Sequence, residues 1–392
     1  MFRRLINPSK NSSFFLFGAR GCGKTTWLKG YFKDIPHLWI DLLNPETENE
    51  LTLNPSLLNA KLGQLPATTR WVVIDEIQKI PQLLNIVHQQ IESSSLQFAL
   101  TGSSARKLKR GAANLLAGRA FVYPLFPLTW NELSGSFNLE HVLTWGLLPR
   151  IFQLESDEDK KNYLRSYAST YLSEEIVAEQ IIRNLLPFRK FLPVAAQNNG
   201  QILNYAKISR DVGVDDKTIQ SYYEILEDTY MGFRLYPYHS SFRKRLSQKP
   251  KFYFFDPGVS RSLARQLEIP LVAQTSGFGD SFEHFIILEF WKLCSYFYPD
   301  YQLTYIQTKD GAEVDLVIDR PGQNLLLIEI KSANKIDPVN HLKTLQKMKN
   351  DLKKAESYCL SQDPSPQKWG EVTCLRWEEG IKTILPKAFE GR

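Results

Sequence analysis

Gly18, Ala19, Arg20, Gly21, Cys22, Gly23, Lys24 and Thr25 place three glycines, a lysine and a hydroxyl within eight residues, with Thr26 behind them, directly after the apolar run Phe14 to Phe17. Glycine lets a backbone wrap so tightly that successive N–H groups point at one anion, and a helix opening near Lys24 adds its positive end. The loop is therefore expected to hold the phosphates of ATP or ADP, with Lys24 neutralising the β and γ groups and Thr25 giving its hydroxyl to Mg²⁺. A second magnesium ligand is expected from a carboxylate that ends a buried strand next to the loop, and the run Trp71 to Glu76 fits. Asp75 would hold the metal and Glu76 would polarise the attacking water, a pairing that suits hydrolysis. The bland alternative is a glycine turn and an ordinary solvated strand end.

Phe98 to Leu100 lead into Thr101 and Ser103, and strand ends of a parallel sheet converge on the ligand crevice, so both hydroxyls are expected near the γ-phosphate. Far along the chain stands a second constellation: Glu313 and Asp315 in one apolar run, a turn at Pro321 and Gly322, then Glu329 and Lys331 in the next. The strand period of two puts Glu329 and Lys331 on one face, and a hairpin brings Asp315 beside them, where a divalent cation such as Mg²⁺ or Mn²⁺ is expected. Lys331 would orient or deprotonate water. Such pairings also arise by chance on amphipathic strands.

These groups need elements to position them. Short apolar runs at Phe14 to Phe17, Leu38 to Leu42, Trp71 to Ile74, Phe98 to Leu100 and Ala120 to Pro124 alternate with helical stretches, which predicts a parallel α/β sheet with an edge near Glu132. From Lys160 to Ala196 the pattern is helical, with Tyr163, Tyr167, Tyr171, Ile176, Ile181 and Leu185 forming an apolar stripe suited to core packing. Between Leu203 and Phe255 a turn at Val212, Gly213 and Val214 separates two helices, the second capped by Asp216, and two β-like runs follow, a winged-helix pattern. Ile219, Tyr222 and Leu226 are expected inward, and Thr218, Gln220 and Ser221 outward, toward a ligand. The polar stretch Gln274 to Ser281 then opens a last α/β segment that starts with an apolar helix over Phe282 to Leu293.

The 392 residues exceed one ordinary core, which predicts two or three domains. No apolar run approaches the roughly 20 residues that cross a bilayer, and four cysteines without a Cys-x-x-Cys pair argue against zinc or disulfides, so a cytoplasmic protein without membrane partners is expected. The net charge of +6 permits nucleic-acid binding without requiring it. From Tyr230 to Phe255 there is no acid, while Arg234, Arg243, Lys244, Arg245, Lys249 and Lys251 fall in and around the expected wing, which makes DNA the expected partner, with protein contacts as the alternative. Lys343, Lys347, Lys349, Lys353 and Lys354 form a second basic run, of the kind that usually marks a solvated face.

Gly18 to Thr25, Val73 to Glu76, Leu100 to Ser103, Gly118 with Arg119, and the segment Tyr171 to Ile176 resemble AAA-type P-loop ATPases. More narrowly the chain resembles bacterial and archaeal ATP-binding proteins that join such a domain to a winged helix and a restriction-endonuclease-like domain. The resemblance implies an ATPase domain over 1–132, a helical and winged-helix region over 133–273 and a nuclease-like α/β domain over 274–392. It implies a homo-oligomer in which Arg119 reaches a neighbouring subunit's nucleotide, against a plain surface arginine. It also implies that Asp315, Glu329 and Lys331 act as in PD-(D/E)xK nucleases, with Glu283 as the helix glutamate, although no proline precedes Asp315. Repair, recombination or defence against foreign DNA would suit such a protein, and a nucleotide-switched scaffold that cuts nothing is the alternative.

Overall fold

The structure is a computed structural model that describes residues 2–102, 116, 118–171, 184–239, 248–308 and 311–390. The chain divides into two compact units, one of residues 1–128, 148–153 and 224–231, the other of residues 129–147, 154–223 and 232–392.

In the first unit the five expected apolar runs become strands: β1 (Ser13–Phe17), β2 (His37–Asp41), β3 (Trp71–Asp75), β4 (Gln97–Gly102) and β5 (Ala120–Pro124). They form an all-parallel sheet in the order β2-β3-β4-β1-β5. Every residue of β1 and β3 is buried, as expected of strands covered on both faces. One face packs Phe15, Phe17, Ile40, Val72, Ile74, Phe98 and Leu100 against Leu51, Leu58, Leu83, Leu84 and Val87. The carboxylate strand and the strand that leads into the loop are not neighbours in the sheet, because β4 lies between them. Helix Lys24–Tyr31 follows β1 after a loop in which Gly21 (φ 78°) and Gly23 (φ 91°) adopt left-handed conformations.

The second unit carries a mixed eight-stranded sheet. Its strands are β6 (Gly232–Pro237), β7 (Lys251–Phe254), β8 (Gln302–Gln307), β9 (Glu313–Asp319), β10 (Leu326–Lys331), β11 (Glu356–Ser361), β12 (Gln367–Trp369) and β13 (Val372–Arg376), in the order β12-β13-β11-β10-β9-β8-β6-β7. The expected hairpin is present: β9 and β10 pair antiparallel with Leu316 opposite Ile328. The expected join at 273/274 does not interrupt this sheet, since β6 pairs parallel with β8.

Upstream lie helices Tyr205–Val212 and Asp216–Asp228, separated by Gly213 in a left-handed C-cap (φ 83°). Ile219, Tyr222 and Leu226 are buried and Gln220 is exposed, as the pattern requires. The cap is one residue earlier than expected: Asp215, not Asp216, accepts the Thr218 N–H at 2.9 Å and its hydroxyl at 2.7 Å. The apolar helix of the last segment is longer than its apolar run, covering Ser276–Phe297, with Thr275 capping it through the Phe278 N–H. Among the described residues no helix is long and apolar enough to cross a membrane. Ser103, Arg243, Lys244, Arg245, Ile176 and Ile181 lie outside the described residues.

Candidate functional site

The loop from Gly18 to Thr25 is built by close approach. A Cβ on Gly18 would stand 2.1 Å from the Leu125 carbonyl oxygen, so only glycine lets the strand end pass there. Ala19 and Cys22 are buried, Arg20, Gly21 and Thr26 are exposed, and the Cys22 carbonyl accepts a hydrogen bond from Arg4 Nη1 at 2.8 Å. Lys24 is buried and turned back into the loop, its Nζ donating to the carbonyls of Gly18 (2.8 Å) and Ala19 (3.4 Å). Gly23 has no side chain with which to cap the helix, and among the described residues no side chain takes the first-turn N–H groups, which face the place of an anion.

Thr25 and Asp75 meet across the strand that separates them, Thr25 Oγ1 donating to Asp75 Oδ2 at 2.8 Å. Thr101, fully buried on β4, donates its hydroxyl to the other oxygen, Asp75 Oδ1, and accepts the Glu76 N–H at 2.9 Å. Burial pushes the Asp75 carboxyl above its ordinary value, the hydrogen bonds from Thr101 and Thr25 act the other way, and the charges of Glu76 and Asp41 add to the rise. Glu76 sits at φ 61°, a left-handed conformation that a glutamate rarely adopts, and Gln78 Nε2 donates to its carboxylate. The intervening strand thus does not keep the groups apart; it supplies the hydroxyl that links them. Thr25 and Asp75 together offer hard oxygen donors of the kind magnesium takes. Arg119 lies half-exposed just before β5 and pairs with Glu92.

The C-terminal carboxylates gather around two lysines. Asp315 Oδ2 accepts the Ile330 N–H at 2.7 Å, which fixes it beside β10, and Lys331 Nζ lies 2.5 Å from Glu329 Oε1 and 3.9 Å from Asp315 Oδ2. Glu329 Oε2 is buried with no hydrogen-bond partner among the described residues. Glu283 accepts the Tyr253 hydroxyl at 2.7 Å and lies 3.7 Å from Lys251 Nζ, which also pairs with Glu313. Lys251 therefore belongs to this cluster and not to an exposed basic wing; at 4% exposure it is shut away from solvent. Burial pushes the Glu329 carboxyl up to about 8, with repulsion from Asp315 next and Lys331 opposing. Burial likewise pushes Glu283 up to about 7, with Asp315 adding and Lys251 opposing. Burial acts against the charge on Lys331, but Asp315 and Glu329 outweigh it and raise that group. Among the described residues no group of three or more His, Cys, Asp or Glu side chains is gathered as a metal cage, since Lys251 and Tyr253 hold Glu283 while Lys331 holds Asp315 and Glu329.

Residues 10–134 match the family described as AAA domain. That segment is similar to an AAA-type P-loop ATPase domain. Residues 136–269 and 278–379 match two further families, each described as a domain of unknown function (DUF8612 and DUF4143). An uncharacterised protein of Mycobacterium bovis is 27% identical over 310 residues, covering 79% of this chain and 68% of its own. One from Methanocaldococcus jannaschii is 24% identical over 400 residues, covering 88% of this chain and 80% of its own. Among solved structures, the chain is similar to a Walker-type ATPase of Pyrococcus abyssi at 13% identity and a TM-score of 0.42, covering 64% of this chain and 90% of that one. It is also similar to the ORC2 protein of Aeropyrum pernix at 12% identity and a TM-score of 0.37, covering 66% and 87%.

Three participants escaped the sequence reading. Gln78, two residues after Glu76, carries no motif of its own. Lys251 and Tyr253 did carry a signal, because alternate residues of a strand share a face. The basic character of Lys251 pointed to a wing instead.

Proposed function

We propose that this AAA-type ATPase is Mg²⁺-dependent and engages DNA through the winged-helix segment and a nuclease-like C-terminal domain. The observation that carries the ATPase half is the chain of hydrogen bonds from Thr25 through Asp75 and Thr101 to the Glu76 backbone. Magnesium bound at Thr25 and Asp75 would offset phosphate charge. Lys24, released from the Gly18 and Ala19 carbonyls, would pair with the β and γ oxygens, and Glu76 would take the proton of the attacking water. The first-turn N–H groups would cradle the anion. Thr101 would keep Asp75 and Glu76 in register, with Ser103 beside it.

The DNA half is supported by the exposed Gln220, with Thr218 and Ser221 half-buried on the same helix, and by the orphaned Glu329 Oε2, a buried acceptor that a cation would satisfy. Asp315 and Glu329 would hold Mg²⁺ or Mn²⁺ with Glu283 beside them, and Lys331 would orient water. One observation favours a second reading, a nucleotide-switched scaffold. Lys251 already pairs with both Glu283 and Glu313, so part of the cluster's charge is offset without metal.

One pair of assays separates the readings. Lys24→Ala should abolish ATP binding, and Glu76→Gln should keep binding while slowing turnover by about 10²-fold or more. Wild-type turnover in Glu76→Gln removes the assignment of the base. With Mn²⁺ and duplex, forked and single-stranded DNA, Asp315→Asn and Lys331→Ala should each lose cleavage and keep ATP hydrolysis; wild-type protein that leaves all three uncut makes the scaffold the better account.

A further inference from the structure

The first two turns of helix Ser276–Phe297, with the loop that follows helix Pro257–Leu263, enclose a polar hollow of about 130 Å³. Its walls include Ser260, Arg261, Gln266, Gly277, Asp280 and Ser281. Arg261 is only 6% exposed. Its Nη2 donates to the carbonyls of Gln266 at 2.8 Å and Ile269 at 2.6 Å, while its Nε has no hydrogen-bond partner among the described residues.

Two neutral carbonyls satisfy donors without cancelling a charge. Burial alone acts on this guanidinium, holding it below its ordinary value, and among the described residues no carboxylate pairs with it. A buried guanidinium in that state is strongly disfavoured until an anion joins it. The long helix works in the same sense. The Thr275 side chain takes the Phe278 N–H and its carbonyl the Gly279 N–H, and among the described residues the N–H groups of Ser276 and Gly277 have no hydrogen-bond partner at the positive end of 22 residues. Asp280 is the acidic group in the wall, and the cation that acts on it is Lys251, not Arg261. Gly277 leaves room, since a Cβ there would meet nothing within 4 Å.

We propose that Arg261 and this hollow bind a phosphate group of a nucleic-acid strand, one helical turn before Glu283. The assignment to a strand rests on the DNA reading above. Arg261 Nε supplies a charge-assisted hydrogen bond, the helix N–H groups supply more, and Ser260 and Ser281 add hydroxyls. The same chemistry would accept an internal phosphodiester or a 5′-terminal phosphate.

The test uses full-length protein carrying Lys24→Ala, so that the P-loop contributes no anion response. Inorganic phosphate should raise its Tm by about 2 °C once well above its dissociation constant. Adding Arg261→Gln should remove that rise. Ser281→Glu places a carboxylate in the hollow, keeps Arg261 paired and should also remove it, which covers the case in which Arg261→Gln folds poorly. Three DNA probes follow: a 5′-phosphorylated strand, the same strand with a 5′-hydroxyl, and a circular strand. Each bound strand should weaken about tenfold in both variants. Preference for the 5′-phosphorylated strand puts a strand end in the hollow, and equal binding of all three puts an internal phosphodiester there. No phosphate response, or strand affinities unchanged in both variants, overturns the proposal. Cleavage is not read, so a carboxylate cluster that cuts nothing would sink the nuclease reading and leave this result standing.

Discussion

Glu329 shows how much one buried side chain can report. Its carboxyl is pushed up to about 8 in the folded protein, against about 4.3 for a glutamate in an unfolded chain. The folded state therefore binds this proton more tightly, so the stabilisation is fully present below about pH 4.3 and is lost as pH rises through about 8. Glu283, pushed up to about 7, adds in the same sense. Denaturant unfolding of metal-free protein should give a stability that declines between pH 5 and 8.5, and Glu329→Gln should flatten the decline; identical pH profiles for the two proteins would remove Glu329 as its source. Asp315, Glu329 and Lys331 were legible because a two-residue period and a hairpin bring them together within 17 positions. Lys251 and Tyr253 join them from more than 60 residues upstream, where only the sheet order β8-β6-β7 makes the connection. No local pattern encodes that.

At the scale of elements, the apolar runs gave the strand positions of the first sheet within one or two residues, most plainly for β1 and β3, because strands buried on both faces must be apolar throughout. Their order was not legible. Nothing in Phe98 to Thr101 says that β4 lies between β1 and β3, and the position of Thr101 between Asp75 and Glu76 follows from that order alone. The loop itself is held by the end of β1, where Leu125 N–H donates to the Phe17 carbonyl at 2.6 Å. Gly18→Ala would drive a methyl to 2.1 Å from the Leu125 oxygen, and should cost about 2 kcal/mol or more together with most nucleotide affinity. Gly63→Ala is the matched control: its Cβ meets nothing within 4 Å, and it should be neutral or stabilise by about 0.5–1 kcal/mol. Thermal melts with and without ATP check both, and equal behaviour of the two variants would dismiss the close approach as the loop's constraint.

For the whole molecule, Arg119 and its neighbours matter most. Phe121 and Val122, 53% and 57% exposed, stand on β5 at one edge of the first sheet, with Ala120 between them and Arg119. If Arg119 acts in a neighbouring copy, Arg119→Ala protein should bind ATP normally, hydrolyse it slowly and regain part of its turnover when mixed with Glu76→Gln protein. Full turnover by a strictly monomeric Arg119→Ala protein would end the trans-acting role. The opposite treatment is given to β7, at one edge of the second sheet. Gly200 N–H bonds the Phe252 carbonyl at 2.8 Å, Leu203 N–H bonds Pro250 at 2.8 Å, Ile202 bridges Lys251, and the Asn199 side chain accepts the Phe254 N–H. The backbone groups that would template a foreign strand are already used within the chain. A sheet of eight strands is thereby closed to fibrous growth from that side, and the lysine and tyrosine it carries stay aligned on the carboxylates, whatever the protein concentration.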